Sequence, residues 1–343
     1  MPGALRRAYR QFVKAIVQER YGSPDVLEFA DVAQPVAADN EVLVRVHAAA
    51  VNAYDWHVMR GDPYLARLAG PNFTLSGPKR KIRGRDFAGV VEAVGKDVRG
   101  FQPGDEVYGD SGLADGTFAE YVCVPEDVVD HKPANLTLEQ AAAVPLAGLT
   151  AFKGLREAAV SAGQKVLVNG ASGGVGTFAV QIAKSLGAKV TAVCSTRNVD
   201  LVSSLGADHV VDYTQEDFTR GEQRYDVVFD LVGNHSLTAL RRVLSATGTL
   251  LLSGGGVSQG GSVFGPMGLM IRAQVVAKFV RGQRIVVLQT GPDKEILTSL
   301  RALAEAGKIT PSVDRTYKLA EVPDAIRYVE TEHPRAKVVI TVN

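Results

Sequence analysis

The stretch KVLVNGASGGVGTFAVQIAKSLGAKVTAVC, residues 165–194, decides the fold. Lys165–Asn169 is a short buried strand, Gly170–Gly176 a loop of small residues, Val175–Leu186 a helical run and Lys189–Cys194 a second strand. Small residues let a backbone approach a pyrophosphate, and the following helix start offers unpaired N–H groups and a favourable dipole. The glycine spacing departs from GxGxxG, but its place between a strand and a helix is the context that gives such a loop meaning. Ala171, Ser172, Gly173, Gly174 and Val175 are therefore candidate cofactor contacts.

The alternation continues outward. Val199–Leu205 reads as a helix, His209–Asp212, Tyr225–Asp230 and Thr249–Ser253 as strands, and Ser236–Leu244 as a helix. Apolar strands alternating with helices predict a parallel sheet covered on both faces, a doubly wound nucleotide-binding domain. N-terminal to it the chain reads as β-rich. Val13–Glu19, Glu41–Ala50, Phe87–Val94 and Thr117–Val124 are strand candidates, separated by Gly/Pro turns such as GFQPGDEV at 100–107. Beyond Gly291, Lys294–Ala306 and Ala320–Glu330 read as helices, and Lys337–Val342 as a last strand able to rejoin the first domain. The expected division is thus 1–146 with 291–343, around an inserted 147–290.

Composition narrows the function. The chain has 343 residues with 38 basic and 37 acidic side chains, a balance that argues against a nucleic-acid partner. Two cysteines, Cys123 and Cys194, exclude a disulfide framework and a cysteine-rich zinc site. No stretch approaches a transmembrane span, so no stable membrane insertion is expected. The basic start (Arg6, Arg7, Arg10) lacks the apolar run of a secretory signal and reads as an upstream start or frayed tail, ahead of a weak targeting remnant. The cytoplasm is the default compartment.

The end of the second strand speaks to the cofactor. NAD-preferring sites place an acid there for the ribose hydroxyl. This chain has Ser195, Thr196 and Arg197, with Asp200 slightly later as a counter-argument. Ser195 and Arg197 suit a 2′-phosphate, and Tyr213 can stack on or bond the same end, so NADPH is expected. Thr150 and Leu149 would meet the cofactor from the start of the domain. Val232-Gly233 and Ser253-Gly254-Gly255 follow strands and should border the nicotinamide.

ASGGVG, SLGADHVVDY, DVVFDLVG and LLSGGG, with VNAYDWHVMRG, GRDFAGVVEAVG and GKITPSVDRTYKLAEVPDAIRYVE, resemble the medium-chain dehydrogenase/reductase superfamily in its quinone oxidoreductase and zeta-crystallin branch. The resemblance covers most of the chain from about Lys14. It implies a GroES-like catalytic domain around an inserted Rossmann domain, with the cofactor in the cleft between them. Zinc enzymes of the superfamily carry Cys where this chain has Asn52, GHE where it has Gly84-Arg85-Asp86, and a third ligand near Ala147. The ligand set is missing, and no metal is expected. His47 reads as a structural histidine. His57 resembles the zinc enzymes' proton-relay position, a role with little to do without a zinc-bound alkoxide.

The resemblance makes Asn52 and Tyr54 the leading catalytic candidates, with Asn52 also beside the cofactor. Tyr54 is a proton donor or an aromatic wall, and Asp55 orients donors or cofactor hydroxyls. Tyr64 and Phe264 are candidate pocket residues. The apolar run 260–279 is a lid, a dimer-facing element or a membrane-surface helix, ranked in that order. Arg284–Leu288 resembles the edge strand through which family members pair, implying a homodimer. The expected activity is NADPH-dependent hydride transfer to a quinone or an α,β-unsaturated carbonyl compound. Two alternatives stay open: a zinc-type alcohol dehydrogenase or carbonyl reductase, and a non-catalytic NADPH-binding protein.

Overall fold

The computed structural model describes residues 11–253, 267–332 and 334–342. An antiparallel pair, β1 (Phe12–Gln18) and β2 (Leu27–Ala33), precedes β3 (Glu41–Val51), the long strand on which the first domain is organised. Helices α1 (Ala53–Arg60) and α2 (Ala66–Ala69) follow, then β4 (Asp86–Val94), β5 (Glu106–Asp110), β6 (Tyr121–Pro125) and β7 (Val129–His131). One long edge of β3 carries β4. The other is shared, with β6 along Glu41–Arg45 and the terminal strand along Ala48–Val51. Val42, Val44 and Val46 are buried as the alternation required, and Arg45 is exposed, but Leu43 on the opposite face is buried too. Expected strand 117–124 is shorter and shifted: Thr117–Glu120 is irregular, because Phe118 and Glu120 bond β1 from outside a regular ladder.

Helices α3 (Leu138–Ala142) and α4 (Pro145–Glu157) lead into the alternating part. There β8 (Lys165–Asn169), α5 (Gly174–Ser185), β9 (Lys189–Cys194), α6 (Val199–Ser204), β10 (His209–Asp212), β11 (Tyr225–Asp230), α7 (Leu237–Arg242), β12 (Leu244–Leu252), α8 (Met267–Ala277) and β13 (Arg284–Val287) succeed one another. The six strands form one parallel sheet in the order β10-β9-β8-β11-β12-β13. This is the doubly wound order in which the first-formed strand lies in the middle, and ligands bind where the order reverses. Successive residues feed opposite cores. Val166, Val168 and Phe229 pack with α4 and α5, while Leu167, Val228 and Leu250 face Leu240, Val243 and Ala273. The expected helix to Leu244 stops at Arg242, because Leu244 already starts β12 and caps the sheet beside Tyr225.

The last segment has α9 (Lys294–Glu305), β14 (Val313–Lys318), α10 (Val322–Thr331) and β15 (Lys337–Thr341). Helix α9 buries Ile296, Leu297 and Leu300 against the α4 side of the parallel sheet. Strand β15 lies antiparallel to β3 and parallel to β14, completing a seven-stranded sheet ordered β14-β15-β3-β4-β5-β7, with β6 beside β3. Strand β14 had no distinct sequence signal: its alternation of Val313, Arg315 and Tyr317 is weak and its burial partial.

Candidate active site

Sheet register builds the centre of the site. Ala50 lies opposite Asp86 and Val51 opposite Val338, so the end of β3 meets the starts of β4 and β15. Asn52 follows directly as the N-cap of α1. Its Nδ2 donates to Asp86 Oδ2 (3.0 Å) and to the Ala50 carbonyl (3.3 Å), and its Oδ1 accepts from Lys337 Nζ (2.6 Å). Lys337 also donates to Asp86 Oδ2 (3.0 Å). The other Asp86 oxygen accepts the Leu146 N–H at the start of α4 (2.9 Å). One carboxylate thus joins four elements. Burial raises the Asp86 pKa, opposed chiefly by the Lys337 charge.

The second group hangs from α1 and the strand entries. Arg85 makes a two-pronged, buried pair with Asp110 (2.9 and 2.6 Å), and its guanidinium lies 4.9 Å from the centre of the Tyr54 ring. Asn72 Nδ2 donates to Tyr54 Oη (2.7 Å) and to Asp115 Oδ2 (3.0 Å), and Arg83 Nη2 lies 3.1 Å from the same Asp115 oxygen. Burial, aided by the Asp115 charge, pushes the Tyr54 pKa up to about 12, so its hydroxyl stays protonated at physiological pH. Asp55, the third residue of α1, accepts the Asn52 N–H through Oδ2 (2.8 Å) and leaves Oδ1 buried without a protein partner. Burial pushes its pKa up to about 7. Asp115 is likewise raised by burial, to about 6, against the pull of Arg83 and Arg85.

Opposite these groups lies the glycine loop. Gly170 has φ +85°, and Gly173 is the N-cap of α5, accepting the Thr177 N–H. The N–H groups of Gly174, Val175 and Gly176 fall in the first helical turn, where none has an intrahelical acceptor. A Cβ on Gly176 would sit 2.2 Å from the Gly170 carbonyl oxygen and 2.7 Å from Ala171 Cα, so only glycine packs there. Residues 336–337 touch this loop directly. Ala336 N–H donates to the Ser172 carbonyl (2.7 Å), and a Cβ on Gly174 would meet Lys337 Cδ at 3.0 Å. The Lys337 stem therefore runs from the glycine loop to the Asn52–Asp86 corner.

The neighbouring strand ends supply the rest. Asn169, Asp230 and Leu252 align in register across β8, β11 and β12. Asp230 Oδ1 accepts from Asn169 Nδ2 (2.9 Å) and from the N–H groups of Val232 (3.2 Å) and Gly233 (3.1 Å), shaping that turn. Ser253 N–H bonds the Asp230 carbonyl (3.0 Å). After β9, Asn198 Nδ2 donates to Ser172 Oγ (3.0 Å) and Ser195 Oγ (3.3 Å), tying the glycine loop to the strand end. Arg197 Nη2 donates to the Glu332 carbonyl (3.0 Å), and Tyr213 is exposed beyond β10. Asp212, opposite Cys194 in register, is engaged by the hydroxyls of Thr196 (2.6 Å) and Thr214 (2.8 Å). Thr150 is buried on α4 and donates to its own helix at Leu146 (2.7 Å).

Two sequence candidates have neighbours of their own. Tyr64 is exposed and stacks under the Arg67 guanidinium, 4.5 Å away. His57 is stacked on Trp56 with its Nδ1 buried and unpartnered, and burial lowers its pKa. Gly254, Gly255 and Phe264 lie outside the described residues. Lys337, Asn72, Asp115, Arg83, Asn198 and Asp230 escaped the sequence reading. Only Lys337 left a signal: a cation opening an otherwise apolar terminal strand. Among the described residues no three His, Cys, Asp or Glu side chains group to hold a metal ion, and no helix is long and apolar enough to cross a membrane.

Residues 38–134 match the family described as alcohol dehydrogenase GroES-like domain, and residues 205–340 the one described as zinc-binding dehydrogenase. The chain is 36% identical to a 2-methylene-furan-3-one reductase of Solanum lycopersicum, over 96% of this chain and 79% of the relative. It is 35% identical to the mitochondrial NAD(P)H oxidoreductase RTN4IP1 of Mus musculus, over 96% and 89%. The solved quinone oxidoreductase of Coxiella burnetii superposes with a TM-score of 0.84 at 32% identity, covering 97% of this chain and all of that one. Fold, strand order and relatives agree: this chain belongs to the medium-chain dehydrogenase/reductase superfamily, among its quinone and alkenal oxidoreductases.

Proposed function

We propose that this chain is an NADPH-dependent, zinc-independent reductase that delivers hydride to a quinone or an α,β-unsaturated carbonyl compound. The observation that carries this reading is the Lys337 bridge between the glycine loop and the Asn52–Asp86 corner. It brings the glycine loop and the polar end of α1 together, which supports reading them as one site. The N–H groups at 174–176 suit a pyrophosphate, Ser195 and Arg197 with Tyr213 suit a 2′-phosphate, and Thr150, Val232 and Ser253 border the nicotinamide end. When bound, the reduced nicotinamide supplies the hydride.

The chain's own residues supply position and a proton. Hydride addition leaves negative charge on the substrate oxygen, and preorganised donors meet such charge best. Tyr54 breaks its O–H bond to form the new O–H bond on substrate, and its phenolate faces Arg85 and the Asn72 N–H until water returns the proton. Asn52 has both its amide hydrogens taken by Asp86 and Ala50, so it shapes the floor of the site. The positions that the resemblance assigns to zinc ligands hold Asn52, Arg85 and Ala147. The carboxylates around them already face the buried cations Arg85 and Lys337, whose charge opposes a further divalent ion.

We read residues 1–146 with 291–343 as the catalytic domain and 147–290 as the cofactor domain. Strand β13, outermost in its sheet, is the edge through which two copies pair. The compartment follows the sequence reading, the cytoplasm, and fractionation of a tagged full chain tests it against the mitochondrion named for the mouse relative.

The deciding experiment follows NADPH oxidation with a benzoquinone, a naphthoquinone, an alkenal and a cyclic enone, each repeated with NADH and with a chelator. Turnover that prefers NADPH and ignores the chelator supports the reading. Activity lost to the chelator and regained with zinc overturns it.

A further inference from the structure

We propose that Asn72 is a positioning residue that makes the Tyr54 hydroxyl a donor toward the reacting carbonyl. The inference rests on the proton-donor role given to Tyr54 above. A tyrosine hydroxyl can give its hydrogen or receive one, and which it does decides whether it can serve a substrate oxygen. The surroundings of Asn72 settle the choice.

Asp115 is buried and holds Arg83 through Oδ2 (3.1 Å). The same oxygen lies 3.0 Å from Asn72 Nδ2. An ionised carboxylate only accepts, so the amide must turn its nitrogen toward it. The opposite orientation would set the amide oxygen against the carboxylate, with both groups buried. That nitrogen is also the atom 2.7 Å from Tyr54 Oη. An amide nitrogen cannot accept, so Tyr54 is the acceptor in this contact and keeps its own hydrogen. No other described hydrogen bond involves that hydroxyl. The Arg85 guanidinium covers one face of the ring, and the donating Asn72 N–H turns the O–H away from Asn72. Charge thus passes its instruction along a line: Arg83 holds Asp115, Asp115 turns Asn72, and Asn72 turns Tyr54.

Asn72 is itself held from behind. Its carbonyl accepts the Lys79 N–H (3.0 Å), Thr74 N–H bonds Gly77 (3.1 Å), and Phe73 pairs with Pro78 across the same turn. The side chain is 3% exposed, so water does not replace its amide in the folded protein. A segment with an exposed tip at Leu75 therefore sends an inward amide to both Asp115 and the Tyr54 hydroxyl.

The test is a double-mutant cycle on the full chain with NADPH and a cyclic enone, comparing Asn72→Ala, Tyr54→Phe and the two together. Each single change should lower kcat about tenfold or more, with the KM for NADPH within about twofold of wild type. The pair should be no slower than Tyr54→Phe alone within about twofold, since an orienting group has nothing to orient on phenylalanine. Asn72→Asp should be at least as slow as Asn72→Ala, because its carboxylate draws the Tyr54 hydrogen to itself. A loss from Asn72→Ala as large in the Tyr54→Phe background as in the wild-type one, or no loss at all, overturns the positioning role. Wild-type turnover in Tyr54→Phe instead removes the proton-donor reading beneath it.

Discussion

Asp55 offers the sharpest quantitative test of the site, because one substitution removes its charge and keeps its cap. Asp55→Asn retains an oxygen to accept the Asn52 N–H now bonded at 2.8 Å. Burial lifts the folded carboxyl from 3.8 to about 7, with Asp115 and Asp86 adding repulsion and Arg83 opposing it. The folded pKa lies above the unfolded one. Its contribution is therefore complete below about pH 4 and lost as pH rises through about 7. Between pH 5 and pH 8 that contribution should fall by about 3 kcal/mol. With a urea slope of about 3 kcal/mol/M, the midpoint of wild type should fall about 1 M further than that of the variant between pH 5 and 8. Trp56, the only tryptophan in the chain, adjoins Asp55 and reports unfolding of this part by fluorescence. His57, whose pKa burial lowers, gives a trend of the opposite sign, but it is common to both proteins and cancels in the comparison. An equal midpoint change in both proteins would refute the buried, raised carboxyl.

Three further outcomes are expected. Arg197→Glu should weaken NADPH by about 10- to 100-fold and NADH far less, measured by fluorescence titration; equal losses would remove the 2′-phosphate assignment. Gly176→Ala forces its Cβ onto the Gly170 oxygen and the Ala171 backbone, so NADPH affinity should drop about 10- to 100-fold; an unchanged Kd would mean the loop does not carry the phosphates. Lys337→Met leaves Asp86 buried without its cation and should cost about 3–5 kcal/mol in urea unfolding. Adding Asp86→Asn should recover part of that loss, and no recovery would show the pair is not coupled.

Much of the fold was legible because its signals are local. The strand–glycine–helix run at 165–186 and the alternation after it need only hydrophobic period and turn chemistry, and both reappear in the parallel sheet. Helix α1 passed unread, although Asn52 and Asp55 stand at N-cap and N3 spacing and Gly61 ends it with φ +63°. The candidate site divided in the same way. Asn52, Tyr54 and the glycine loop sit within recognisable motifs. Lys337 reaches Asn52 across 285 positions and Asp115 reaches Asn72 across 43, distances over which no period or spacing rule operates. Arg83 and Asp115 resemble surface charges in sequence, and only the tertiary fold shows them buried together.

The late arrival of β15 has a consequence for how the chain is made. Strand β3 is finished early in synthesis, yet the Ala48–Val51 half of its second edge finds its partner only when Val338–Thr341 emerges. Roughly 290 residues lie between, about 15–60 s at ribosomal speeds of ~5–20 residues per second. Throughout that interval an apolar edge, Ala-Ala-Ala-Val, stands open to other nascent chains. The same final strand delivers Lys337, and Ala336 just ahead of it bonds the glycine loop. A chain stalled or clipped just before this strand would lack a sheet neighbour and the cation of its centre.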